Sequence, residues 1–304
     1  MFQVSVVIPV YNVGQFLEEA VGSALIQPEV GEVILVEDGS TDNSNEICQK
    51  LCADFEKVRL LTHPGGENQG VCKSRNLGIR EARFDFVAFL DADDWYLPNR
   101  FGKENILFEN PDIMAVYSLS AIRFPDGREE LFGCKDNLIE MLGTNDLGGV
   151  YCHIMRHDII LGHTNANTFR KEVFEKVGFF DERLNLHQDT ELWNRIARNF
   201  LFWPGELNKP VSVARRHSQN RITSKSKSSQ LKLLFVWIDN IGLSNMYPCE
   251  KDNFIYLYSR AISNPINSDF LRKVIFHTFL RLCEIFKDRF IRNFYQSNKV
   301  NNLR

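Results

Sequence analysis

The sequence lacks any apolar run long enough to cross a membrane. No stretch of about eighteen or more apolar residues occurs, and the chain starts with a strand-like segment, without a basic leader or cleavage site. The seven cysteines are odd in number and scattered, and none forms a CxxC pair, which favours a reducing compartment. We therefore expect a soluble, unexported, cytoplasmic protein.

Two common phosphate-binding loops are also missing. Neither a Walker A loop nor a GxGxxG motif follows the first predicted strand, so P-loop ATP hydrolysis and Rossmann dinucleotide binding have no support. The chain shows no internal repeat.

The composition is that of an ordinary globular protein. Apolar residues make up 44% and charged residues 25% of the 304 residues, which argues against mostly disordered, collagen-like or disulfide-framework chains. The net charge of −3 conceals an asymmetry, because residues 1–204 carry −13 (19 Lys+Arg, 32 Asp+Glu) and residues 205–304 carry +10 (17 and 7). Either the two halves pack against each other through surfaces of opposite charge, or the basic half binds an anionic membrane or phosphate groups.

The first hundred residues alternate between strand and helix periodicity. This β-α-β-α order predicts a parallel sheet with helices on both faces, because right-handed crossovers place the helices there. The predicted strands are 4–9, 33–37, 58–62 and 86–90, and the predicted helices are 16–24, 41–55 and 71–82. Further along we predict a strand at 113–119, helices at 101–109, 138–142, 171–177 and 190–198, a polar loop over 206–229, and mainly helix from residue 230.

Polar clusters follow three of these strands at their carboxyl ends, where such sheets bind ligands. The last cluster places three carboxylates, Asp91, Asp93 and Asp94, within four residues. Like charges so close destabilise one another unless a cation or hydrogen-bond donors lie among them. Mg²⁺ or Mn²⁺, held by carboxylates and the phosphates of a diphosphate substrate, is the simplest explanation. A solvated loop with an aspartate capping the next helix is the alternative.

Four motifs occur in a fixed order and spacing: residues 6–12 (Val-Val-Ile-Pro-Val-Tyr-Asn), 36–42 (Val-Glu-Asp-Gly-Ser-Thr-Asp), 68–76 (Asn-Gln-Gly-Val-Cys-Lys-Ser-Arg-Asn) and 89–94 (Phe-Leu-Asp-Ala-Asp-Asp). This series closely resembles family 2 glycosyltransferases, inverting enzymes with the GT-A fold. The resemblance implies an α/β, Rossmann-like, mainly parallel sheet flanked by helices. It predicts a GT-A domain over 1–220, with a nucleotide-binding half (1–100) and an acceptor half (101–220), and a helical C-terminal region over 221–304.

The resemblance also implies roles for individual residues that bind the donor. Asp38 matches the family position that hydrogen-bonds the nucleotide base, and Pro9, Val10 and Tyr11 match the positions that line the base pocket. A carboxylate can accept a hydrogen bond from a base N–H, so the assignment of Asp38 is chemically reasonable.

By the same resemblance, the aspartate motif lies where the sugar and diphosphate end of the donor binds. Asp91, with Ala92, matches the position near the ribose and donor sugar, and Asp93 matches the metal ligand. Arg75 matches an arginine that helps to hold the donor. Its alternative role is an ion pair with the aspartates.

A second segment, residues 187–193, resembles the family's Glu-Asp-x-x-Leu/Phe-Trp element, whose aspartate is the general base. The match falls on Asp189, with Gln188 in place of the usual acidic neighbour. A base is needed because the acceptor hydroxyl must lose its proton as it attacks. The alternative is that Asp189 only caps the predicted helix 190–198.

Two further groups contain histidines. In residues 215–220, which resemble the family's Arg-x-His segment, His217 would approach the metal or pyrophosphate, and Arg216 or Arg215 would neutralise the leaving diphosphate; an exposed basic loop is the alternative. Zinc is not expected at the other group, because its spacing fits no Cys₂His₂ or Cys₄ pattern. That group is Cys152, His153, His157 and His163.

The basic C-terminal region contains an apolar helical face. It is either packed on the acidic domain or forms an interfacial helix that makes peripheral contact with an anionic membrane. Its apolar residues are Leu271, Val274, Ile275, Thr278, Phe279, Leu282, Ile285, Phe286 and Phe290, and the surrounding cations are Arg272, Lys273, Arg281, Lys287, Arg289 and Arg292.

The sequence as a whole predicts an inverting glycosyltransferase assisted by Mn²⁺ or Mg²⁺. It would transfer a sugar from a nucleotide-sugar donor, in the first instance a UDP-sugar, to a hydroxyl of a saccharide or lipid-linked acceptor. We expect no nucleic-acid partner. The alternatives are a sugar-1-phosphate nucleotidyltransferase, for which the required Gly-rich basic loop is missing after the first strand, and a non-catalytic nucleotide-sugar-binding protein, for which a base is not expected.

Overall fold

The computed structural model describes residues 2–133, 146–158, 160–217 and 227–262. The chain forms two compact units, Met1–Thr223 and Ser224–Arg304. The predicted helix at 138–142 and the amphipathic face at 271–292 lie outside the described residues.

The first unit contains eleven described strands and seven described helices. The strands are β1 Val4–Val10, β2 Val30–Glu37, β3 Val58–Thr62, β4 Phe86–Phe89, β5 Trp95–Tyr96, β6 Ala115–Tyr117, β7 Ser120–Arg123, β8 Glu129–Phe132, β9 Asn167–Arg170, β10 Phe202–Pro204 and β11 Ser212–Arg215. The helices are α1 Gly14–Leu25, α2 Ser44–Asp54, α3 Val71–Glu81, α4 Gly102–Leu107, α5 Leu147–Met155, α6 Glu172–Val177 and α7 Gln188–Asn199, with a 3₁₀ turn at Thr164–Ala166.

A seven-stranded central sheet runs in the order β3-β2-β1-β4-β9-β6-β10. β1 is parallel to both β2 and β4, β3 is parallel to β2, and β10 is parallel to β6. β9 is antiparallel to its neighbours β4 and β6. The side chains of Val6, Val7 and Ile8 are all inaccessible to solvent, as expected for a central strand covered on both faces. The predicted α/β fold with a mainly parallel sheet is confirmed.

A second sheet of four strands, β5-β11-β7-β8, corrects one prediction. The segment 206–229 is predicted as a loop from its polar composition, yet β11 lies within it. β11 runs parallel to β7 and antiparallel to β5. Hydrogen bonds to two distant strands stabilise β11, and its own four residues carry little local preference that could reveal it.

An aromatic cluster packs α7 against the central sheet. The Trp193 ring stacks on Phe169 of β9, with centroids 4.5 Å apart, and it also meets Phe180 edge-on at 5.7 Å. Phe89 of β4 packs edge-on against Phe180 at 5.4 Å. These contacts anchor α7 to β4 and β9, the strands that border the site described below.

The second unit, in its described part, consists of two helices, α8 Lys227–Ile241 and α9 Pro248–Ile262, joined through a 3₁₀ turn at Leu243–Asn245. Trp237 and Phe254 are both buried, with ring centroids 4.9 Å apart. None of the helices in the described ranges is long and apolar enough to span a bilayer.

Candidate active site

The site lies at the carboxyl edge of three adjacent strands, β4, β1 and β2. Val10 at the end of β1 pairs with Glu37 at the end of β2, and the main-chain N–H of Asp38 donates to the Val10 oxygen at 2.9 Å. The segment at Asp91–Asp94 follows β4 on the other side of β1. Parallel strands thus bring two predicted groups, Pro9–Tyr11 with Asp38 and Asp91–Asp94, to one edge.

Asp38 is buried, and its carboxylate organises the loop before α3. One carboxylate oxygen accepts from the Gln69 N–H at 2.6 Å, and the other accepts from the Gly70 N–H at 2.9 Å. Gly39 permits this approach: its φ is +73°, and a Cβ there would lie 2.8 Å from the Asn68 nitrogen. The structure therefore gives Asp38 a loop-holding role, and its contact with a nucleotide base stays a prediction.

The other residues predicted for the base pocket differ in exposure. Tyr11 and Pro9 are half-buried, whereas the Val10 side chain is fully buried in the core. Ala92 is buried in the same core. Val10 and Ala92 thus have little side-chain surface for a ligand, and any contact that they make would come from the main chain.

Asp91 is paired with Arg75 of α3. Arg75 Nη2 donates to Asp91 Oδ1 at 2.6 Å, so the ion pair considered from the sequence is present. Burial alone would raise the pKa of Asp91, but the charge and hydrogen bond of Arg75, together with His163, outweigh it and lower the pKa. Asp91 is therefore held as a carboxylate.

Arg75 has further hydrogen-bonding capacity. Its side chain is only 4% exposed and its guanidinium lies 5.3 Å from the centroid of the Phe180 ring. Within the described part of the chain, its Nε and Nη1 have no hydrogen-bond partner. Buried guanidinium N–H groups without partners are costly, so this arrangement is suited to an additional acceptor.

Asp94 is also buried, but its pKa is shifted in the opposite direction from that of Asp91. Its Oδ1 accepts from the Arg215 main-chain N–H at 2.7 Å, and its Oδ2 accepts from Asn165 Nδ2 at 2.6 Å. Burial, followed by the charges of Asp93 and Asp91, raises the pKa of Asp94 well above its ordinary value. Asn165 also accepts the Asp91 N–H at 3.0 Å through its Oδ1, so one amide side chain orients both aspartates.

Asp93 faces the segment that follows β11. His217 Nε2 lies 2.9 Å from Asp93 Oδ2, and both side chains are partly exposed. Arg215 supports this pair: its Nε donates to the Asp93 main-chain oxygen at 3.1 Å, and its guanidinium forms an ion pair with Glu19. An imidazole and a carboxylate at this distance are chemically suitable ligands for Mn²⁺ or Mg²⁺.

A second set of ligating groups involves a histidine that we did not predict in the site. Ring-nitrogen and carboxylate atoms of His163, Asp91 and Asp94 lie within 4.8 Å of one another, the only such triad among the described residues. Burial, ahead of the opposing charges of Asp91 and Asp189, lowers the pKa of His163. Because Arg75 already compensates Asp91 and both oxygens of Asp94 accept hydrogen bonds, the pair of Asp93 and His217 is the better candidate for a cation.

Asp189 lies in the first turn of α7, which begins two residues earlier than predicted. The residue that precedes the helix is His187, in the left-handed region at φ 63°, so Asp189 does not occupy the N-cap position considered for it. Asp189 Oδ1 accepts from the Thr190 N–H at 2.7 Å. The charges of Asp189 and of the exposed Arg216 both act on His163, so both residues lie within electrostatic range of its ring.

Sequence reasoning missed His163 and Asn165. The predicted site consists of polar residues that follow parallel strands, whereas β9 is antiparallel to β4, with Ala88 opposite Thr168. The residues that precede β9 therefore lie at the carboxyl edge of β4. The polar run at 162–167, Gly-His-Thr-Asn-Ala-Asn, ahead of a strand is the pattern that could have indicated them.

Comparisons with known proteins identify the family of the chain. The profile described as "Glycosyl transferase family 2" matches residues 5–202. Succinoglycan biosynthesis protein ExoU of Rhizobium meliloti is 28% identical over 204 residues, which cover 64% of this chain and 57% of ExoU.

Two solved structures show the fold. TarS of S. aureus in complex with UDP-GlcNAc matches with a TM-score of 0.58 and 17% identity, covering 86% of this chain and 71% of that one. The mannosyltransferase PcManGT from Pyrobaculum calidifontis, in complex with GDP-Man and Mn²⁺, matches with a TM-score of 0.55 and 15% identity, covering 99% and 87%. Both likenesses indicate a GT-A fold.

The match spans between 26% and 58% of the length of the curated relatives. The family profile nevertheless covers most of the first unit, including all four motifs and Asp189. The chain belongs to glycosyl transferase family 2.

Proposed function

We propose that the protein is a glycosyltransferase that inverts the configuration at the anomeric carbon of a nucleotide-sugar donor. A UDP-sugar is the first candidate for that donor, and a divalent metal assists the reaction. The acceptor is a hydroxyl of a saccharide or of a lipid-linked saccharide. The descriptions of two similar proteins support the proposed donor and the proposed saccharide acceptor. TarS is described with UDP-GlcNAc and ExoU as a succinoglycan biosynthesis protein.

The environment of Arg75 is the observation that best supports the proposal. Its guanidinium is buried beside the Asp91 carboxylate, and its Nε and Nη1 have no partner in the described residues. These N–H groups are suited to phosphate oxygens, which accept charge-assisted hydrogen bonds from arginine. An anionic donor next to Asp91 would satisfy them.

The metal fits the pair formed by Asp93 and His217. Their facing atoms lie 2.9 Å apart, and carboxylate, imidazole and diphosphate oxygens together suit Mn²⁺ or Mg²⁺. When bound, the metal supplies Lewis-acid stabilisation of the departing diphosphate. The exposed Arg216 adds positive charge for the same leaving group.

Asp189 acts as the general base in this proposal. It accepts the acceptor's hydroxyl proton while the acceptor oxygen bonds to the anomeric carbon and the bond from that carbon to the phosphate oxygen breaks. One displacement of this kind inverts the configuration. Its position supports the role: Asp189 lies in the first turn of α7, and its charge acts on the same histidine as that of Asp91.

Asp38, Pro9 and Tyr11 would hold the base at the ends of β1 and β2. Tyr11 and Pro9 have side-chain surface that a base could cover. Asp38 retains unused acceptor capacity, because each carboxylate oxygen carries two lone pairs and accepts one main-chain N–H.

Release of UDP from a panel of UDP-sugars, measured with and without saccharide acceptors, tests the proposal. A glycosyltransferase releases UDP faster when its acceptor is present, and the product has inverted anomeric configuration by NMR. A nucleotidyltransferase would instead make UDP-sugar and pyrophosphate from UTP and a sugar-1-phosphate. A non-catalytic binding protein would bind UDP-sugar and release nothing, so either of these results contradicts the proposal.

The basic C-terminal region and the location of the protein belong to the same proposal. We place the enzyme in the cytoplasm, where Lys and Arg around the apolar face at 271–292 would contact an anionic membrane that carries a lipid-linked acceptor.

A further inference from the structure

We infer that His163 recognises a hydroxyl of the transferred sugar and thereby contributes to the choice of donor sugar. The inference rests on the proposed function, since it requires a nucleotide-sugar at Asp91. His163 is a binding residue in this account, and it takes no part in proton transfer.

The first step concerns the tautomer of the ring. His163 Nδ1 accepts a hydrogen bond from the Asn165 main-chain N–H at 3.4 Å. In a neutral imidazole with Nδ1 as the acceptor, the proton is on Nε2. His163 therefore offers a single N–H donor. In the described residues, that Nε2–H has no hydrogen-bond partner.

The second step concerns the position of the ring. Gly162, just before His163, has a φ of +73°, and a Cβ there would lie 2.8 Å from the Ser118 oxygen. Only glycine fits this close passage without strain. On the other side, the His163 ring meets Phe132 of β8 edge-on, with centroids 6.2 Å apart. The backbone and Phe132 thus hold the imidazole in place before any ligand binds.

The third step concerns the chemistry of the neighbours. A ring nitrogen of His163 and carboxylate oxygens of Asp91 and Asp94 lie within 4.8 Å of one another. The Asp91 carboxylate only accepts hydrogen bonds, whereas the imidazole Nε2–H donates one. A hydroxyl can donate to a carboxylate and accept from the imidazole at the same time. A phosphate oxygen cannot do both, because it has no proton to donate and its negative charge would lie beside the Asp91 carboxylate.

The fourth step assigns the hydroxyl to the donor. Asp91 is joined to Arg75, whose buried Nε and Nη1 are suited to phosphate oxygens. A sugar attached to that phosphate would lie beside Asp91 and therefore beside His163. Within the described residues no hydrogen bond joins His163 to Asp189, which marks the acceptor side in the proposal, although the charge of Asp189 acts on the His163 ring.

Two substitutions separate the functions of the two ring nitrogens. His163→Asn retains an oxygen near the Nδ1 position that can accept from Asn165, but it removes the Nε2 donor. His163→Gln places an amide N–H near the Nε2 position. His153→Gln, at a histidine paired with Asp158 at 2.8 Å, is the matched control.

Calorimetry with Mn²⁺ compares UDP with UDP-glucose, UDP-galactose and UDP-GlcNAc. We expect His163→Asn to weaken binding of the preferred UDP-sugar by roughly three- to tenfold, as for one neutral hydrogen bond, without changing UDP affinity. His163→Gln should restore part of the loss or change the ranking of the three sugars, and His153→Gln should behave as wild type.

Several outcomes would overturn the inference. An equal loss for UDP and UDP-sugars would make His163 a structural residue, and a loss of Mn²⁺ affinity would make it a metal ligand. A rise confined to the acceptor KM would place it on the acceptor. If wild-type protein binds UDP but discriminates among no sugars, the inference fails while the proposed function stands. If it binds no nucleotide or nucleotide-sugar, both fail.

Discussion

Arg100 Nε donates to the main-chain oxygen of Asn165 at 2.9 Å, across a separation of 65 residues. The arginine side chain is fully buried and forms an ion pair with Glu104 at 2.5 Å. Through Asn165, this buried pair supports the amide that orients both Asp91 and Asp94. The buried Arg100–Glu104 pair thus supports the position of both aspartates through Asn165.

Arg100→Met should destabilise the first unit by about 3–5 kcal/mol, because it leaves Glu104 buried without its cation. Urea unfolding measures the change. The double variant Arg100→Met/Glu104→Leu should recover part of the stability, since it removes both charges. Lys176→Met, in the exposed pair with Glu172, is the control and should cost less than about 1 kcal/mol. An equally small loss of stability for Arg100→Met would show that the buried Arg100–Glu104 pair does not hold the structure around the site.

Asp93→Asn should abolish the dependence of UDP binding on Mn²⁺, because it removes one of the two proposed ligands. Calorimetry of UDP binding with Mn²⁺ and with EDTA measures it, and His217→Gln should act in the same direction. Asp126→Asn, on an exposed turn, is the control and should keep the wild-type response. UDP binding that stays Mn²⁺-dependent in Asp93→Asn would exclude Asp93 as a ligand.

Asp189→Asn should lower turnover by about 10²-fold or more with little change in donor affinity, because asparagine cannot accept the acceptor's proton. The fold should persist, since the amide oxygen can still accept from the Thr190 N–H. Steady-state UDP release and circular dichroism check both statements, with Glu175→Gln on α6 as the control. Near-normal turnover would show that Asp189 acts only within its helix.

The buried thiols of Cys48 and Cys72 should make the protein less stable in alkaline solution. Burial raises the pKa of each from 9.0 to about 12, so the thiolate is favoured in the unfolded chain. Stability should not depend on these groups well below pH 9.0 and should fall as the pH rises beyond it, by about 1.4 kcal/mol per pH unit for each thiol.

Urea unfolding from pH 7 to 10 measures this effect. The double variant Cys48→Ala/Cys72→Ala should have a shallower dependence on pH, whatever its stability at pH 7. Both thiols should also react with iodoacetamide only under unfolding conditions. An identical slope in the wild type and the variant would contradict the prediction.

The C-terminal cations should bind the protein to anionic vesicles. Neutralising four of them should weaken binding to phosphatidylserine-containing vesicles by roughly a thousandfold, since each cation contributes about 1 kcal/mol there. The substitutions are Arg281→Gln, Lys287→Gln, Arg289→Gln and Arg292→Gln. Flotation measures binding, and equal flotation of both proteins would contradict membrane contact. Four substitutions in the first unit serve as the control: Lys50→Gln, Lys73→Gln, Lys103→Gln and Lys176→Gln.

Much of the fold could be predicted because the first hundred residues carry local information. Short β-branched runs and amphipathic stretches each have their own periodicity, and the predicted strand at 58–62 coincides with β3. Parallel order then brings the ends of β1, β2 and β4 to one edge. The chemistry at that edge, carboxylates at Asp38 and Asp91–Asp94, is visible in the sequence for the same reason.

The sequence suggested Arg75 and His217 as partners of those carboxylates, but it did not show which aspartate each would meet. Three neighbouring aspartates look alike in sequence, yet Arg75 compensates Asp91, Asn165 orients Asp94, and His217 faces Asp93. These partners come from α3, from the turn before β9 and from the segment after β11, separated from the aspartates by up to 124 residues. No local pattern encodes such distances.

The sequence by itself determined the family motifs, the alternation of strands and helices and the predicted identity of the base at Asp189. Tertiary structure alone decided that β9 runs antiparallel to β4 and that the polar segment 206–229 includes β11. Those two placements brought His163, Asn165 and His217 to the aspartates. Hydrogen bonding between distant strands sets strand direction and pairing, and it depends on which edges the folded core leaves available.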